Sequence, residues 1–430
     1  MKTQLGGGVV GIRFGLAELS LSDGTTVQPP LDGLTVFIGP NNSGKSLLLR
    51  EIAARLSPIQ AGQSFAALWL ADAAIAAEGA SGDLFDWLHQ QGQVPRRFPG
   101  GHELAYPGPT QQPWSRSQVA NSWESRLYGN IAHLLVAHLS TQDRLQSHHS
   151  NSQWWDPGFP PSHPLQYLAD VRGAQDVFSR RVVAAFGQPV SIDRYDHTQL
   201  RLRVGEPGIP DEVPPPSPEL RAAYQALPAV SEQGDGFQAF VNVLINTLVR
   251  PRPVILVDEP EAFLHPPQAR LLGRFLAADT PSPCQVFVAT HSSDFLAGLM
   301  DAGAAKPISL VRLSRTATYA QARSLQPEDV SGILKTPALR YSNIISGLFH
   351  DRVVLCEAEG DCQFYQASFD AIRGGKPHDN TVFLHLSGKA RLADAAAKLR
   401  QCGIPVAVIA DIDLRFPRRA EGCRRWPDGP

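Results

Sequence analysis

The chain has 430 residues, of which 43% are hydrophobic and 19% charged, with a formal net charge of −2. That length supports two or three domains with substantial cores. The near-neutral balance excludes a globally basic nucleic-acid binder, so any contact with DNA has to be a local patch. No apolar run approaches ~18 residues, so no transmembrane helix and no membrane partner are expected. The N-terminus lacks an apolar core of signal-peptide length, which makes the cytoplasm the expected location. The five cysteines form no C-x-x-C pair and are odd in number, which points to buried reduced thiols and away from a zinc site or disulfide framework.

From Val9 to Phe37 the pattern alternates weakly around an Asp23-Gly24 turn signal, and strands are expected. Leu34 to Ile38 is apolar and β-branched, as a buried strand is. It runs into Gly39-Pro40-Asn41-Asn42-Ser43-Gly44-Lys45-Ser46, the G-x-x-x-x-G-K-S pattern of a phosphate-binding loop. Leu48, Ile52 and Leu56 then recur four apart, as on one helix face. Strand, loop and helix together form the context that gives the motif meaning. Gly39, Asn41, Asn42, Ser43 and Gly44 let backbone N–H groups close on an anion at a helix N-terminus. Lys45 is placed to reach the β- and γ-phosphates of ATP, and Ser46 to hold Mg²⁺.

Residues 59–168 read as a mainly helical insertion, with helices expected over Ser64–Ala77 and Arg126–Leu139 between Pro-rich polar segments. The run His148 to Pro157, with paired His and Trp, reads as a polar surface loop with two anchoring aromatics. From Val182 to Val204 the chain looks extended, with strands at Val190–Ile192 and Leu200–Val204, and Glu206–Pro218 reads as a linker. Ser231 to Gln238, containing Gly234 and Gly236, opens an apolar helix. On local grounds this is either a second anion site or an ordinary capped helix. Val254 to Val257 is a buried strand that delivers Asp258 and Glu259 at its carboxyl end, where open α/β sheets bind ligands. Asp258 is the expected Mg²⁺ ligand and Glu259 the group that polarises the attacking water. The strand Gln285–Ala289 ends in Thr290-His291-Ser292, which makes His291 a candidate γ-phosphate contact.

The order of these parts resembles the ABC-type ATPase head, in the branch shared by chromosome-maintenance and recombination ATPases. Gly39–Ser46 is similar to its Walker A motif, Ser231–Gln238 loosely to its signature region, and Asp258-Glu259-Pro260 to its Walker B. Thr290-His291 is similar to its switch histidine. The resemblance implies a homodimer or higher homo-oligomer that sandwiches ATP, with the signature residues Ser231, Gly234 and Gly236 facing the partner's nucleotide. Gln60 and Gln63 are candidates for the family's lid glutamine.

Beyond about residue 336 the pattern becomes β-α-β-α-β: strands at Arg352–Cys356, Thr381–Leu386 and Ile404–Ala410, helices at Asp361–Ala371 and Ala390–Gln401. Glu357, Asp361, Asp411 and Asp413 fall near the carboxyl ends of the first and third strands. Spacing alone leaves two readings open, a divalent-metal site suited to phosphodiester cleavage or ordinary solvated acids at strand ends. Glu357-x-x-x-Asp361 with Asp411-x-Asp413 resembles a TOPRIM domain. Leu348–Leu355 resembles the joint between ATPase and TOPRIM in the OLD (overcoming lysogenisation defect) endonucleases. That resemblance implies Glu357, Asp361, Asp411 and Asp413 as ligands for Mg²⁺ or Mn²⁺. It also implies cleavage or nicking of DNA, in anti-phage defence, under the control of ATP. Ala358 stands where the family usually has Gly, and the chain ends at Pro430, soon after Asp413, so the TOPRIM reads as incomplete. The alternative is a nucleotide-gated sensor or scaffold with an inert TOPRIM that controls a separate effector protein.

The expected fold is therefore α/β. An ABC-type P-loop ATPase head occupies residues 1–58 and 169–335 around the insertion at 59–168, and a small parallel-sheet TOPRIM-like domain occupies 336–430.

Overall fold

The computed structural model describes residues 11–57, 67–97, 104–107, 112–146, 150–156, 158, 160–196, 199–210, 215–249, 251–302, 305–315, 320–326, 344–373, 380–386 and 389–411. The chain forms two compact units, residues 1–334 and 335–430.

In the first unit β1 (Arg13–Leu21) turns through the short β2 (Thr26–Val27) into β3 (Gly33–Ile38). Every residue of β3 is buried, which fits a strand covered on both faces. The P-loop follows, and then the helix Lys45–Leu56, whose Leu48, Ile52 and Leu56 are fully buried at the expected spacing. β4 (Leu70–Glu78) pairs antiparallel with β1 along its length. β5 (Arg96–Arg97), β6 (Leu104–Pro107) and β7 (Pro113–Ser115) form a small antiparallel sheet. β8 (Val136–Leu139) joins the main sheet. β9 (Asn151–Gln153), β10 (Val190–Asp193) and β11 (Gln199–Val204) form a separate sheet in the order β10-β11-β9. β12 (Val254–Asp258), β13 (Gln285–Ala289), β14 (Ile308–Arg315) and β15 (Ala320–Leu325) complete the main sheet.

The main sheet has the order β15-β14-β3-β13-β12-β8 and is parallel except for β15. Its register sets the site. Phe37 lies opposite Ala289, and Ala289 opposite Asp258, so the carboxyl ends of three strands distant in sequence finish level. Phe37 and Phe287 stack within this core at 6.3 Å.

Two helical expectations for 59–168 are corrected. Over Ser64–Ala77, residues 70–77 belong to β4, because the Ala-rich run finds an open edge on β1 and pairing overrides helix propensity. Over Arg126–Leu139 only Ala132–Leu135 is α-helical, after a single 3₁₀ turn at Tyr128–Asn130. Val136–Leu139 instead hydrogen-bonds along β12, an alternative that apolar periodicity does not distinguish. The segment is thus no mainly helical insertion but supplies strands to four sheets: β4, β5–β7, β8 and β9. Val182–Phe186 ends a helix (Ala174–Phe186) and is not extended. His148 and His149 lie outside the described residues. Trp154 and Trp155 stack at 5.9 Å, and the Trp154 indole N–H donates to the Asp196 carbonyl at 3.0 Å, an anchoring role as expected.

The second unit holds β16 (Arg352–Cys356), β17 (Thr381–His385) and β18 (Val406–Ile409), all parallel, in the order β17-β16-β18. Helices Glu359–Arg373 and Lys389–Gln401 make the two crossovers. Val353, Leu355, Leu384, Leu392, Leu399 and Ile404 form its buried core.

Candidate functional site

The P-loop closes tightly because three residues take positive φ: Gly39 at 144°, Asn42 at 63° and Gly44 at 93°. A Cβ at Gly39 would run into the Leu313 carbonyl, and one at Gly44 into the Trp69 indole nitrogen. Only glycine fits either position. Trp69 is fully buried and held there by Glu51, which accepts hydrogen bonds from the Leu68, Trp69 and Leu70 N–H groups at 2.7, 2.9 and 2.7 Å. Lys45 is 5% exposed and donates to the Gly39 and Pro40 carbonyls at 2.9 and 2.8 Å. Burial lowers its pKa, opposed by Glu259, Glu261 and Asp258. Ser46 Oγ donates to Asp258 Oδ1 at 2.8 Å. Burial raises the Asp258 pKa against that hydrogen bond, and the neighbouring Glu259 adds to the rise.

Glu259 follows at φ 47°, a left-handed conformation for a residue with a side chain. Its N–H donates to the Ala289 carbonyl at 2.8 Å. Its carboxylate lies 3.2 Å from His291 Nδ1, which is also 3.4 Å from Glu261 Oε1. The His291 hydrogen bond holds the Glu259 pKa below its ordinary value, and the same bond raises that of His291. Glu261 is buried and its pKa raised by burial. It accepts from Thr290 Oγ1 at 2.7 Å and from the His291 N–H at 3.0 Å, so it fixes the strand end that carries the histidine.

The donor set fits Mg²⁺–ATP. The left-handed turn leaves the Ser43 hydroxyl buried without a partner among the described residues. It also aims a buried lysine at the loop's interior and sets a hydroxyl beside a carboxylate, the hard oxygen ligands Mg²⁺ takes.

Four side chains matter here that the sequence reading missed. Glu51 and Glu261 look like ordinary helix and loop acids in sequence. Arg144 is fully buried in the 3₁₀ turn Asp143–Leu145, and its Nη2 donates to the Glu259 carbonyl at 2.8 Å. His138, on β8 opposite Leu256, has its pKa lowered by burial, against the raising effect of Asp143 and Asp258. Both fall in or just after β8, and reading β8 as helix hid the fact that its carboxyl end reaches the site.

Ser231 lies in a 3₁₀ turn, and Gly234 precedes the helix Asp235–Leu244 with an exposed backbone. Gly236 packs so closely that an added Cβ would stand 2.5 Å from the Phe263 carbonyl. Gln60 and Gln63 lie outside the described residues.

In the second unit β16 and β18 end level, Cys356 opposite Ile409, and this brings Glu357 beside Asp411: the Asp411 N–H lies 3.5 Å from Glu357 Oε2. Asp361 Oδ2 accepts from the Ala358 N–H at 3.1 Å, closing the turn into its own helix. Asp413 lies outside the described residues. Among the described residues no three His, Cys, Asp or Glu side chains converge as a metal cluster. Nor does any helix there have the length and apolarity to cross a membrane.

Known proteins extend these observations. Residues 120–297 match the family described as "AAA domain, putative AbiEii toxin, Type IV TA system", and residues 348–413 match the "Overcoming lysogenization defect protein-like, TOPRIM domain" family. By these matches residues 120–297 resemble an AAA-type ATPase domain and residues 348–413 an OLD-like TOPRIM domain. Among named relatives the chain is similar to the Old nuclease of Escherichia phage P2, 25% identical over 168 residues, which is 37% of this chain and 28% of the phage protein. The match therefore spans less than a third of that relative's length. Solved structures similar to it include the Smc head domain bound to the C-terminal domain of ScpA from Pyrococcus furiosus. That match has a TM-score of 0.42 and 10% identity, over 75% of this chain and 99% of that one. Another is the SMC head domain from Thermotoga maritima, with a TM-score of 0.34 and 12% identity, over 74% and 100%.

Proposed function

We propose that the protein binds and hydrolyses Mg²⁺–ATP at the P-loop, and that nucleotide state governs metal-dependent cleavage or nicking of DNA at Glu357, Asp411 and Asp413, in anti-phage defence. The observation that carries the ATP half is the hydrogen bond from Ser46 to Asp258 at 2.8 Å, which joins the loop after β3 to the acid ending β12. Lys45 exchanges the Gly39 and Pro40 carbonyls for phosphate oxygens. Ser46 and Asp258 are the residues that hold the metal. Bound Mg²⁺ supplies charge neutralisation on the phosphates. Glu259, kept ionised by His291, accepts a proton from the attacking water, and His291 keeps that carboxylate aimed. The turn from Ser231 to Gly236, exposed at Gly234 and half-buried at Ser231 and Gly236, would meet a second copy in a homodimer or higher homo-oligomer assembled on ATP.

The DNA half rests on the juxtaposition of Glu357 and Asp411 at the carboxyl edge of a parallel sheet, within the stretch that matches the TOPRIM family. Mg²⁺ or Mn²⁺ would be held by these acids with Asp361 and Asp413, activating water at a phosphodiester. Incubating the protein with plasmid DNA, Mg²⁺ or Mn²⁺, and ATP or ADP tests this. Cleavage that disappears in Glu357→Ala and Asp411→Ala supports the reading. Intact plasmid in every nucleotide state would favour instead a nucleotide-gated sensor acting on a separate effector protein.

A further inference from the structure

We infer that Arg144 is a positioning residue for Glu259, and that through Asn242 it ties Glu259 to the helix behind the Ser231–Gln238 turn. The inference rests on Glu259 being the group that activates water.

A fully buried guanidinium is costly to hold, the more so as the Arg144 Nη1 has no hydrogen-bond partner among the described residues, so the bonds its other nitrogens make have to offset that cost. Among the described residues Arg144 makes no ion pair. Its Nε donates to the Ser140 carbonyl and its Nη2 to Thr141 Oγ1, both at 3.3 Å and both within its own turn. The one distant bond, and the shortest, goes to the Glu259 carbonyl at 2.8 Å across 115 residues of sequence. That carbonyl belongs to a residue at φ 47°, a conformation that has to be imposed by its surroundings. One side of the Glu259 backbone is held by the Ala289 carbonyl; on the other, its carbonyl accepts from the Ala262 N–H at 2.8 Å, closing a local turn, and from Arg144, which ties that turn to a distant segment. The fork of the guanidinium suits this role. Its fixed plane reaches the Ser140–Thr141 turn and the Glu259 carbonyl together, which a single ammonium point does not.

Arg144 is anchored in turn. Asn242, 1% exposed on the helix Asp235–Leu244, donates its Nδ2 to the Arg144 carbonyl at 2.6 Å. The N-terminus of that helix is the Gly234–Gly236 turn, exposed at Gly234 and Asp235. A displacement of the turn therefore has a continuous route of buried hydrogen bonds, through Asn242 and Arg144, to the backbone that aims the Glu259 carboxylate. This gives hydrolysis a dependence on whatever engages the turn.

The test uses the full chain in steady-state ATP hydrolysis, with Mg²⁺–ATP affinity and thermal stability measured on each variant. Arg144→Lys is expected to lower kcat about a hundredfold while KM and nucleotide affinity stay within about twofold. Asn242→Ala is expected to lower kcat about tenfold by the same route, and the double variant to be no slower than Arg144→Lys alone. Wild-type kcat in Arg144→Lys overturns the inference. So does equal loss of kcat and nucleotide affinity, or multiplication of the two single effects in the double variant. If Arg144→Lys fails to fold, Asn242→Ala decides alone: kcat lowered with affinity kept supports the link, and unchanged kcat overturns it. Glu259→Gln separates the layers. Full hydrolysis in that variant removes the premise about water activation. Its loss beside a fully active Arg144→Lys overturns the Arg144 role only.

Discussion

Ser46 Oγ and Asp258 Oδ1 lie 2.8 Å apart across 212 residues of sequence. The contact exists because β3 and β12 flank β13 in strict parallel register, so the loop leaving one and the acid ending the other share an edge. Lys45→Ala is expected to abolish measurable ATP binding in calorimetry, since the one buried cation of the loop is removed. Ser46→Ala keeps Lys45 and should weaken only the Mg²⁺-dependent part. A hydrogen bond to a charged partner is worth about 1.5–3 kcal/mol, or about ten- to a hundredfold in affinity. Equal ATP affinity with and without Mg²⁺ in the wild type would remove the basis of this assignment.

Gly44 is bounded twice, by its φ of 93° and by the Trp69 indole under it. The left-handed conformation alone costs a residue with a Cβ about 1–2 kcal/mol, and the clash with a fully buried ring adds to it. Gly44→Ala should therefore lower the thermal midpoint and ATP affinity together. Gly82, with open space where a Cβ would stand, is the control: Gly82→Ala should leave both unchanged.

The P-loop, Asp258, Glu259 and His291 were legible because each sits where an apolar run stops, and local pattern is enough to find such a place. The three strands of the second unit were legible for the same reason. β4 and β8 were not. Leu70–Glu78 is rich in alanine, and Ile131–Leu139 is an apolar run compatible with either period. What makes them strands is an unpaired edge on β1 and another on β12, both far away in sequence. Arg144 was hidden with β8. A lone arginine carries no sign of burial until the strand before it is known to end beside Glu259.

The pair of Glu259 and His291 predicts a pH window. Glu259 is lowered from its ordinary 4.5, so its contribution is complete above that value and lost as pH falls through its folded-state pKa. His291 is raised from 6.5, so its contribution is complete below that value and lost as pH rises through the folded-state pKa. Both act fully between about 4.5 and 6.5. NMR titration of His291 should give a pKa above the ordinary histidine value that falls in Glu259→Gln. It should not return fully to ordinary, because Glu261 remains 3.4 Å away. A His291 pKa unmoved by Glu259→Gln would show the two are not coupled.

Glu51 gives the sharpest stability prediction. It is 5% exposed, and its two carboxylate oxygens take the N–H groups of Leu68, Trp69 and Leu70, where β4 begins. These are the bonds that set Trp69 beneath Gly44. Glu51→Ala leaves three donors to find other partners, at about 1–3 kcal/mol for each that stays buried and unmet. Thermal unfolding should show a loss of several degrees or more. Glu51→Gln keeps the shape and one acceptor oxygen but turns the other into a donor facing N–H groups, so it should recover part of that loss but not all. Because the same bonds place the floor of the P-loop, ATP affinity should fall in the same order, wild type, Glu51→Gln, Glu51→Ala. Stability lost without any change in affinity would mean that the loop holds its shape without Trp69 beneath it.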